Sequence, residues 1–94
     1  MTTNEMYFVT LRVKKLIDKG FPQYDGIAPK LVDVLKWLRD DKKIEVTACI
    51  TKRKWYYVIQ LLDKEKQPKL NKYQYDSPEE ALRAGIEYVV DNIL

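Results

Sequence analysis

The stretch that decides the fold is Tyr73-Gln74-Tyr75-Asp76-Ser77-Pro78-Glu79-Glu80-Ala81-Leu82-Arg83-Ala84-Gly85. Its aromatic beginning is typical of a strand, and the residues that follow are typical of a capped helix. Ser77 is predicted as the N-cap and Pro78 as the first helical residue. Glu80, three residues after the cap, is predicted to close a capping box. The stretch therefore predicts a strand that leads directly into the last helix.

The last helix also contains a glycine that needs an explanation. Apolar residues recur there at helical spacing, at Leu82, Ile86, Val89, Val90 and Ile93. Gly85 lies in the middle of this pattern, where glycine is less favourable than alanine by about 1 kcal/mol. We therefore expect close packing of Gly85 against the sheet or another helix.

Two further helices are predicted upstream. The first begins after Thr10 and stops at Gly20, and its apolar positions are Val13, Leu16 and Ile17. The second begins at Pro29 and ends near Asp41. Its apolar stripe consists of Leu31, Val34, Leu35 and Leu38, with Trp37 beside it at the edge of the core.

Between the second and the last helix the apolar period changes to two, which predicts strands at 44–51, 55–62 and 69–75. In the middle strand one face carries Trp55, Tyr57, Ile59 and Leu61, and the other carries Tyr56, Val58, Gln60 and Leu62. Lys69 and Lys72 are of the type that prevents an open sheet edge from pairing with another chain. The sequence thus predicts one α+β domain over residues 1–94, a three-stranded antiparallel sheet with helices on one face, in the order α-α-β-β-β-α.

Composition limits the classes of function. The chain has 94 residues, of which 46% are hydrophobic and 33% charged, as expected for one folded domain. No apolar run approaches the roughly 18 residues of a membrane helix, and the N-terminus lacks a signal-peptide pattern. We therefore expect a cytoplasmic protein that does not enter a membrane. The single cysteine, Cys49, is expected to be a structural thiol.

Catalytic and metal-binding residue types are scarce. The chain has no histidine, which removes the commonest general base and zinc ligand. The adjacent acids Asp40-Asp41 and Glu79-Glu80 are the candidate carboxylate pairs, but neighbouring residues on a helix point about 100° apart. The three glycines form no phosphate-binding loop. We therefore expect no enzyme activity, no cofactor and no metal.

Several fragments carry a resemblance to one family. They are Phe8-Val9-Thr10-Leu11, Lys19-Gly20-Phe21, Tyr24-Asp25-Gly26-Ile27-Ala28-Pro29, Lys36-Trp37-Leu38-Arg39, Trp55-Tyr56-Tyr57-Val58-Ile59 and the stretch from Tyr75 to Ile86. In this order they resemble the small uncharacterised proteins of gut Bacteroides genomes and their prophages. The resemblance covers most of the chain and implies an α+β domain of this size and a homodimer. That family has no established activity, so the resemblance assigns no catalytic residue.

The face of the sheet away from the helices is the first candidate for function. If helices cover one face, Tyr56, Val58 and Leu62 on the other need a partner or stay exposed. The predicted interaction surface is Tyr56, Val58 and Gln60, with Arg53 and Lys54 at its rim. A symmetric homodimer, formed through this face or through the edge strand, is the simplest way to cover these residues. Binding of another protein is the alternative. This favours an interaction module of mobile-element or phage type.

Nucleic-acid binding by the sheet is the alternative function. Lys52, Arg53, Lys54 and Lys72 would contact phosphates while Tyr56 stacks on a base. Residues 44–76 hold seven Lys/Arg and four acids, whereas residues 77–94 hold one and four. The order of elements is similar to the plant ethylene-response-type domain and to the arm-binding domain of tyrosine integrases, which both read DNA with the sheet.

The residues that match these two DNA-binding modules are Trp55, Tyr75-Asp76-Ser77 and Glu79-Glu80-Ala81. They are scaffold positions, and Arg53 is the one arginine in the sheet region. Double-stranded RNA-binding domains are a weaker comparison, because Pro78-Glu79-Glu80 would repel phosphate where those domains place lysines.

Overall fold

The computed structural model describes residues 13–22, 29–64, 68–70 and 74–94. The elements are α1 Val13–Asp18, α2 Leu31–Asp41, β1 Ile44–Thr51, β2 Lys54–Leu61, β3 Lys69–Leu70 and α3 Pro78–Asn92. The predicted α+β fold with an antiparallel sheet is confirmed. Thr10, the predicted cap of the first helix, lies outside the described residues. Within the described ranges, no helix is both long enough and apolar enough to cross a membrane.

An antiparallel hairpin is the centre of the fold. β1 and β2 pair in one unbroken register from Ile44 opposite Leu61 to Thr51 opposite Lys54. Lys52 and Arg53 form the two-residue turn, with φ of 48° and 68°. Positive φ at both central residues is the type I′ geometry, whose twist matches that of the flanking strands. This geometry usually selects Asn-Gly, because an L side chain in the left-handed region costs about 1–2 kcal/mol per residue.

The third strand differs from the prediction. Of the predicted residues 69–75, the structure describes 69–70 and 74–75: β3 spans Lys69–Leu70, with Leu70 opposite Val58, and Tyr75 forms an isolated bridge to Trp55. Val58 and Trp55 of β2 are three residues apart in the chain. Their partners Leu70 and Tyr75 are five residues apart. The two pairings therefore belong to different registers, and one regular strand cannot make both.

The core lies between one face of the hairpin and the helices. Its strand residues are Ile44, Val46, Tyr57 and Ile59, and its helix residues include Leu31, Val34 and Leu38 of α2 and Leu82, Ile86, Val89 and Val90 of α3. The predicted alternation of β2 is confirmed, since Tyr57 and Ile59 are buried while Tyr56 and Val58 are half-buried. Trp37 is buried more deeply than expected and meets Phe21 edge to face, with 5.3 Å between ring centroids.

The start of α3 follows the predicted cap with one change. Ser77 Oγ accepts a hydrogen bond from the Glu80 backbone N–H at 3.2 Å. Glu80 Oε2 accepts its hydrogen bond from the Asp76 N–H at 3.3 Å, one residue before the N-cap. The cap residue was therefore predicted correctly, and the return bond of the capping box is displaced by one position.

At Gly85 the backbone of α3 lies directly against the sheet. A Cβ atom on this residue would be 2.7 Å from Val46 Cγ1 and 3.1 Å from both Cβ and Cγ of Tyr57. The prediction that close packing compensates for a mid-helix glycine is confirmed. This contact places α3 over both strands and leaves the opposite face of the hairpin without a helix among the described elements.

Candidate interaction surface

The face of the hairpin opposite the core is formed by alternate residues of both strands, and we call it the helix-free face. Its residues are Glu45, Thr47, Cys49 and Thr51 of β1 and Lys54, Tyr56, Val58 and Gln60 of β2. At its centre Tyr56 lies opposite Cys49, and Val58 lies opposite Thr47. Tyr56, Val58 and Cys49 are half-buried, whereas Thr51, Lys54 and Gln60 around them are exposed. The arrangement is an apolar centre with a polar margin.

The turn of the hairpin presents two cations. Lys52 and Arg53 are exposed, and neither makes an ion pair within the part of the chain that the structure describes. Their backbone lies in the left-handed region at a position where smaller residues would be less strained. Backbone strain of this kind is often retained where the side chains have a function. The turn is therefore a candidate contact for an anionic group.

Lys54, predicted as a third cation of this surface, is already engaged. Its Nζ donates a hydrogen bond to Asp76 Oδ1, and the two side chains form an ion pair. This hydrogen bond, followed by the attraction of the Lys54 charge, holds the pKa of the Asp76 carboxyl below its usual value. The positive charge of Lys54 is thus balanced by Asp76. Lys72, the fourth predicted phosphate contact, lies outside the described residues.

Asp76 reaches the hairpin because Tyr75 is fixed beside Trp55. The Trp55 N–H donates to the Tyr75 carbonyl at 2.8 Å, and the Tyr75 N–H donates to the Trp55 carbonyl at 2.7 Å. The next residue, Asp76, is thereby placed beside Lys54. Sequence spacing gave no sign of this ion pair, because it depends on a bridge between segments 20 residues apart in the chain.

Ile50 is an exposed apolar residue that the strand alternation did not reveal. It lies on the helix-covered face, opposite Trp55, yet 58% of its surface is exposed because it is close to the turn. Leu62, expected on the other face, follows the end of β2 and is 47% exposed. Ile50 therefore lies near the turn of the hairpin and Leu62 at its open end, and neither is at the centre of the helix-free face.

Two residues of the acidic pairs, Asp40 and Glu80, contact other groups of the chain. Asp40 lies 3.2 Å from Arg39 Nε, and Glu80 is used in the cap of α3. Across the described ranges, no group of three or more His, Cys, Asp or Glu side chains is placed to hold a metal ion. Asp33, Asp40 and Asp41 line an open cleft beside Trp37 and Phe21, with Lys36 among them. The acids of α2 are thus mixed with cations at its surface.

Comparisons with protein-family models, with curated proteins and with solved structures give no match for this chain. The resemblance to the Bacteroides proteins remains a prediction. A function for this chain has to be argued from the geometry of the hairpin.

Proposed function

We propose that the protein is a non-enzymatic interaction module of the cytoplasm, of mobile-element or phage type, that works as a homodimer and binds through its helix-free face. It would need neither a cofactor nor a metal. The observation that carries the proposal is the adjacency of Tyr56 and Val58, both half-buried, at the centre of that face. Tyrosine is enriched at protein interfaces because it contributes a large contact area together with a polar hydroxyl group.

The size of the face supports the participation of two copies. Eight residues at about 3.3 Å each give a length of about 26 Å, and two strands give a width of about 10 Å. The resulting area, about 260 Å², is well below the roughly 800 Å² that each partner contributes to a standard interface. A second copy that extends the sheet would double the area available to a further partner.

Nucleic acid is the second candidate partner, and the unpaired cations Lys52 and Arg53 favour it. Phosphate contacts weaken steeply as salt rises, whereas an apolar protein interface does not. Tyr56 lies on the helix-free face, two residues after Lys54, which follows the turn, and could stack on an unpaired base. Of the four cations that the sequence predicted, Lys54 is paired with Asp76, and Lys72 lies outside the described residues.

An amide NMR titration of the labelled protein tests the proposal. A mixture of short DNA and RNA is added at low and at physiological salt, and the linewidths are recorded over a dilution series. We expect dimer linewidths that sharpen on dilution and no response to nucleic acid. Shifts concentrated on residues 51–58 that fade with salt would establish the second candidate instead. Monomer linewidths at every concentration would refute the homodimer.

The variant Lys52→Gln/Arg53→Gln separates the two candidates. It removes both unpaired charges and leaves Tyr56, Val58 and the Lys54–Asp76 ion pair in place. At the highest concentration of the dilution series we expect it to keep dimer linewidths, because the apolar contacts of the homodimer do not depend on these two charges. If nucleic acid shifts the spectrum of the unmodified protein, the same variant should lose that response.

A further inference from the structure

The outer edge of β1 has the properties of a strand that pairs with another chain. Among the described residues, β1 pairs with β2 alone. It is eight residues long, contains no lysine or proline, and has Glu45 as its one charged residue. Natural edge strands are usually short or carry lysine, proline or a bulge that prevents pairing. β1 has none of these features.

The hydrogen-bond pattern of the hairpin shows which backbone groups face outward. The Leu62 N–H donates to the Lys43 carbonyl at 2.8 Å, so positions 43 and 62 belong to a hydrogen-bonded pair. Because such pairs alternate in an antiparallel ladder, Glu45, Thr47, Cys49 and Thr51 bond to β2. The N–H and C=O groups of Ile44, Val46, Ala48 and Ile50 are then directed to the outer edge. The outward bonding of Trp55 to Tyr75 agrees with this assignment, since Trp55 lies opposite Ile50.

We propose that β1 pairs antiparallel with β1 of a second copy, about a two-fold axis at Ala48. This inference rests on the proposed homodimer and names its contact. When two copies of β1 pair antiparallel about a two-fold axis, residues on the same face lie opposite each other. The axis therefore passes between one residue and the same residue of the second copy. Near the middle of the strand the choice is between Thr47 and Ala48.

Charge and exposed apolar area select Ala48. With the axis there, Ile50 lies opposite Val46 of the second copy, which covers part of its 58% exposed surface. Glu45 then lies opposite Thr51 of the second copy, the last residue before the turn that carries Lys52 and Arg53. Neither Glu45 nor Arg53 has an ion pair within the described ranges. With the axis at Thr47, Glu45 would face Cys49 and no cation.

Pairing in this register joins the two hairpins into a continuous antiparallel sheet. The order through the axis is β2, β1, then β1 and β2 of the second copy. The two helix-free faces become neighbours on one side of the sheet. Their combined area is about 500 Å², twice that of one hairpin.

Disulfide trapping tests the register. With the axis at Ala48, position 47 lies opposite Cys49 of the second copy in a non-hydrogen-bonded pair, where Cβ atoms are about 4.5–5.5 Å apart. Thr47→Cys should therefore give a covalent dimer under mild oxidation. Thr47→Cys/Cys49→Ser should not, and neither should the unmodified chain, because the two Cys49 residues are only diagonal neighbours. Glu45→Cys reports the register with its axis at Thr47, and stronger trapping by that variant would overturn the assignment.

Charge reversal at two exposed or half-exposed positions gives a second, independent test. Glu45→Arg and Arg53→Glu should each raise the dimer dissociation constant several-fold in sedimentation equilibrium, and Glu45→Arg/Arg53→Glu should restore it. A monomeric unmodified chain would overturn both the homodimer and the edge contact. A dimer that ignores the reversals and gives no Thr47→Cys disulfide would overturn the edge contact alone.

Discussion

Replacing Gly85 by alanine sets helix propensity directly against packing. In an exposed helix the change would stabilise the protein by about 1 kcal/mol. Here the new Cβ would lie 2.7 Å from Val46 Cγ1 and 3.1 Å from two atoms of Tyr57. Val46 is β-branched and stiff at χ1, Cβ of Tyr57 moves only with its backbone, and Cγ of Tyr57 belongs to a buried ring. None of the three atoms is the far end of a flexible side chain, so the strand and helix have to separate.

The expected net effect is destabilising. Overpacking of a core costs typically 1–3 kcal/mol, and three short contacts place Gly85→Ala toward the upper end of that range. After subtracting the propensity gain of about 1 kcal/mol, we expect a loss of about 1–2 kcal/mol in the free energy of unfolding. For a domain of this size each kcal/mol lowers Tm by roughly 4–8 °C. Urea and thermal denaturation followed by circular dichroism measure both quantities.

Two further variants make the test specific. Ala84→Gly changes the adjacent helical residue in the opposite sense and should cost about 1 kcal/mol through propensity. Val46→Ala removes the atom nearest the new methyl group, so Val46→Ala/Gly85→Ala should be more stable than the sum of the single changes by about 1 kcal/mol or more. A Gly85→Ala variant that is about 1 kcal/mol more stable than the unmodified chain would refute the packing argument, because propensity alone would then account for it.

Four further tests address separate parts of the structure. Tyr57→Ala, which empties a buried position, should cost about 3–5 kcal/mol, whereas Tyr56→Ala on the helix-free face should cost about 1 kcal/mol or less; equal losses in urea denaturation would contradict the assignment of faces. Ser77→Ala removes the N-cap of α3 and should cost about 1 kcal/mol, while Ser77→Asp should be nearly neutral. Lys52→Asn/Arg53→Gly gives the turn its preferred residues and should raise Tm while removing both unpaired cations, and a lower Tm would argue against the type I′ turn. The pKa of Asp76 is depressed in the folded chain, so the stability contributed by its pairing with Lys54 is present above the unfolded pKa and lost as pH falls through the folded pKa. Lys54→Met should return the pKa of Asp76 toward its usual value in a carbon-detected NMR titration, and an unchanged midpoint would show that Lys54 is not the cause.

Local signals predicted the helices, the cap and the alternation of β2. Ser77 and Pro78 specify the start of α3 through their own backbone preferences, and the faces of β2 follow from a period of two. Gly85 was informative for the same reason, since a mid-helix glycine needs a compensating contact. In each case the signal lies in the residue itself and its immediate neighbours.

Long-range pairing was not predictable in the same way. Leu70 and Tyr75 meet β2 in different registers, and no feature of the sequence over 69–75 indicates this change. The pairing of Lys54 with Asp76 depends on that same bridge. The exposure of Ile50 depends on how far the helices extend along the hairpin, and periodicity alone would have placed it in the core.

The central claim is that the β1–β2 hairpin is where this protein binds, beginning with a second copy of itself. Amide hydrogen exchange of the unmodified chain at high and at low protein concentration tests it most directly. We expect the amides of Val46, Ala48 and Ile50 to lose protection on dilution, while those of Thr47 and Cys49, which bond to β2, keep it. Protection that is independent of concentration, or that changes in α2 and α3 and not in the hairpin, would contradict the claim.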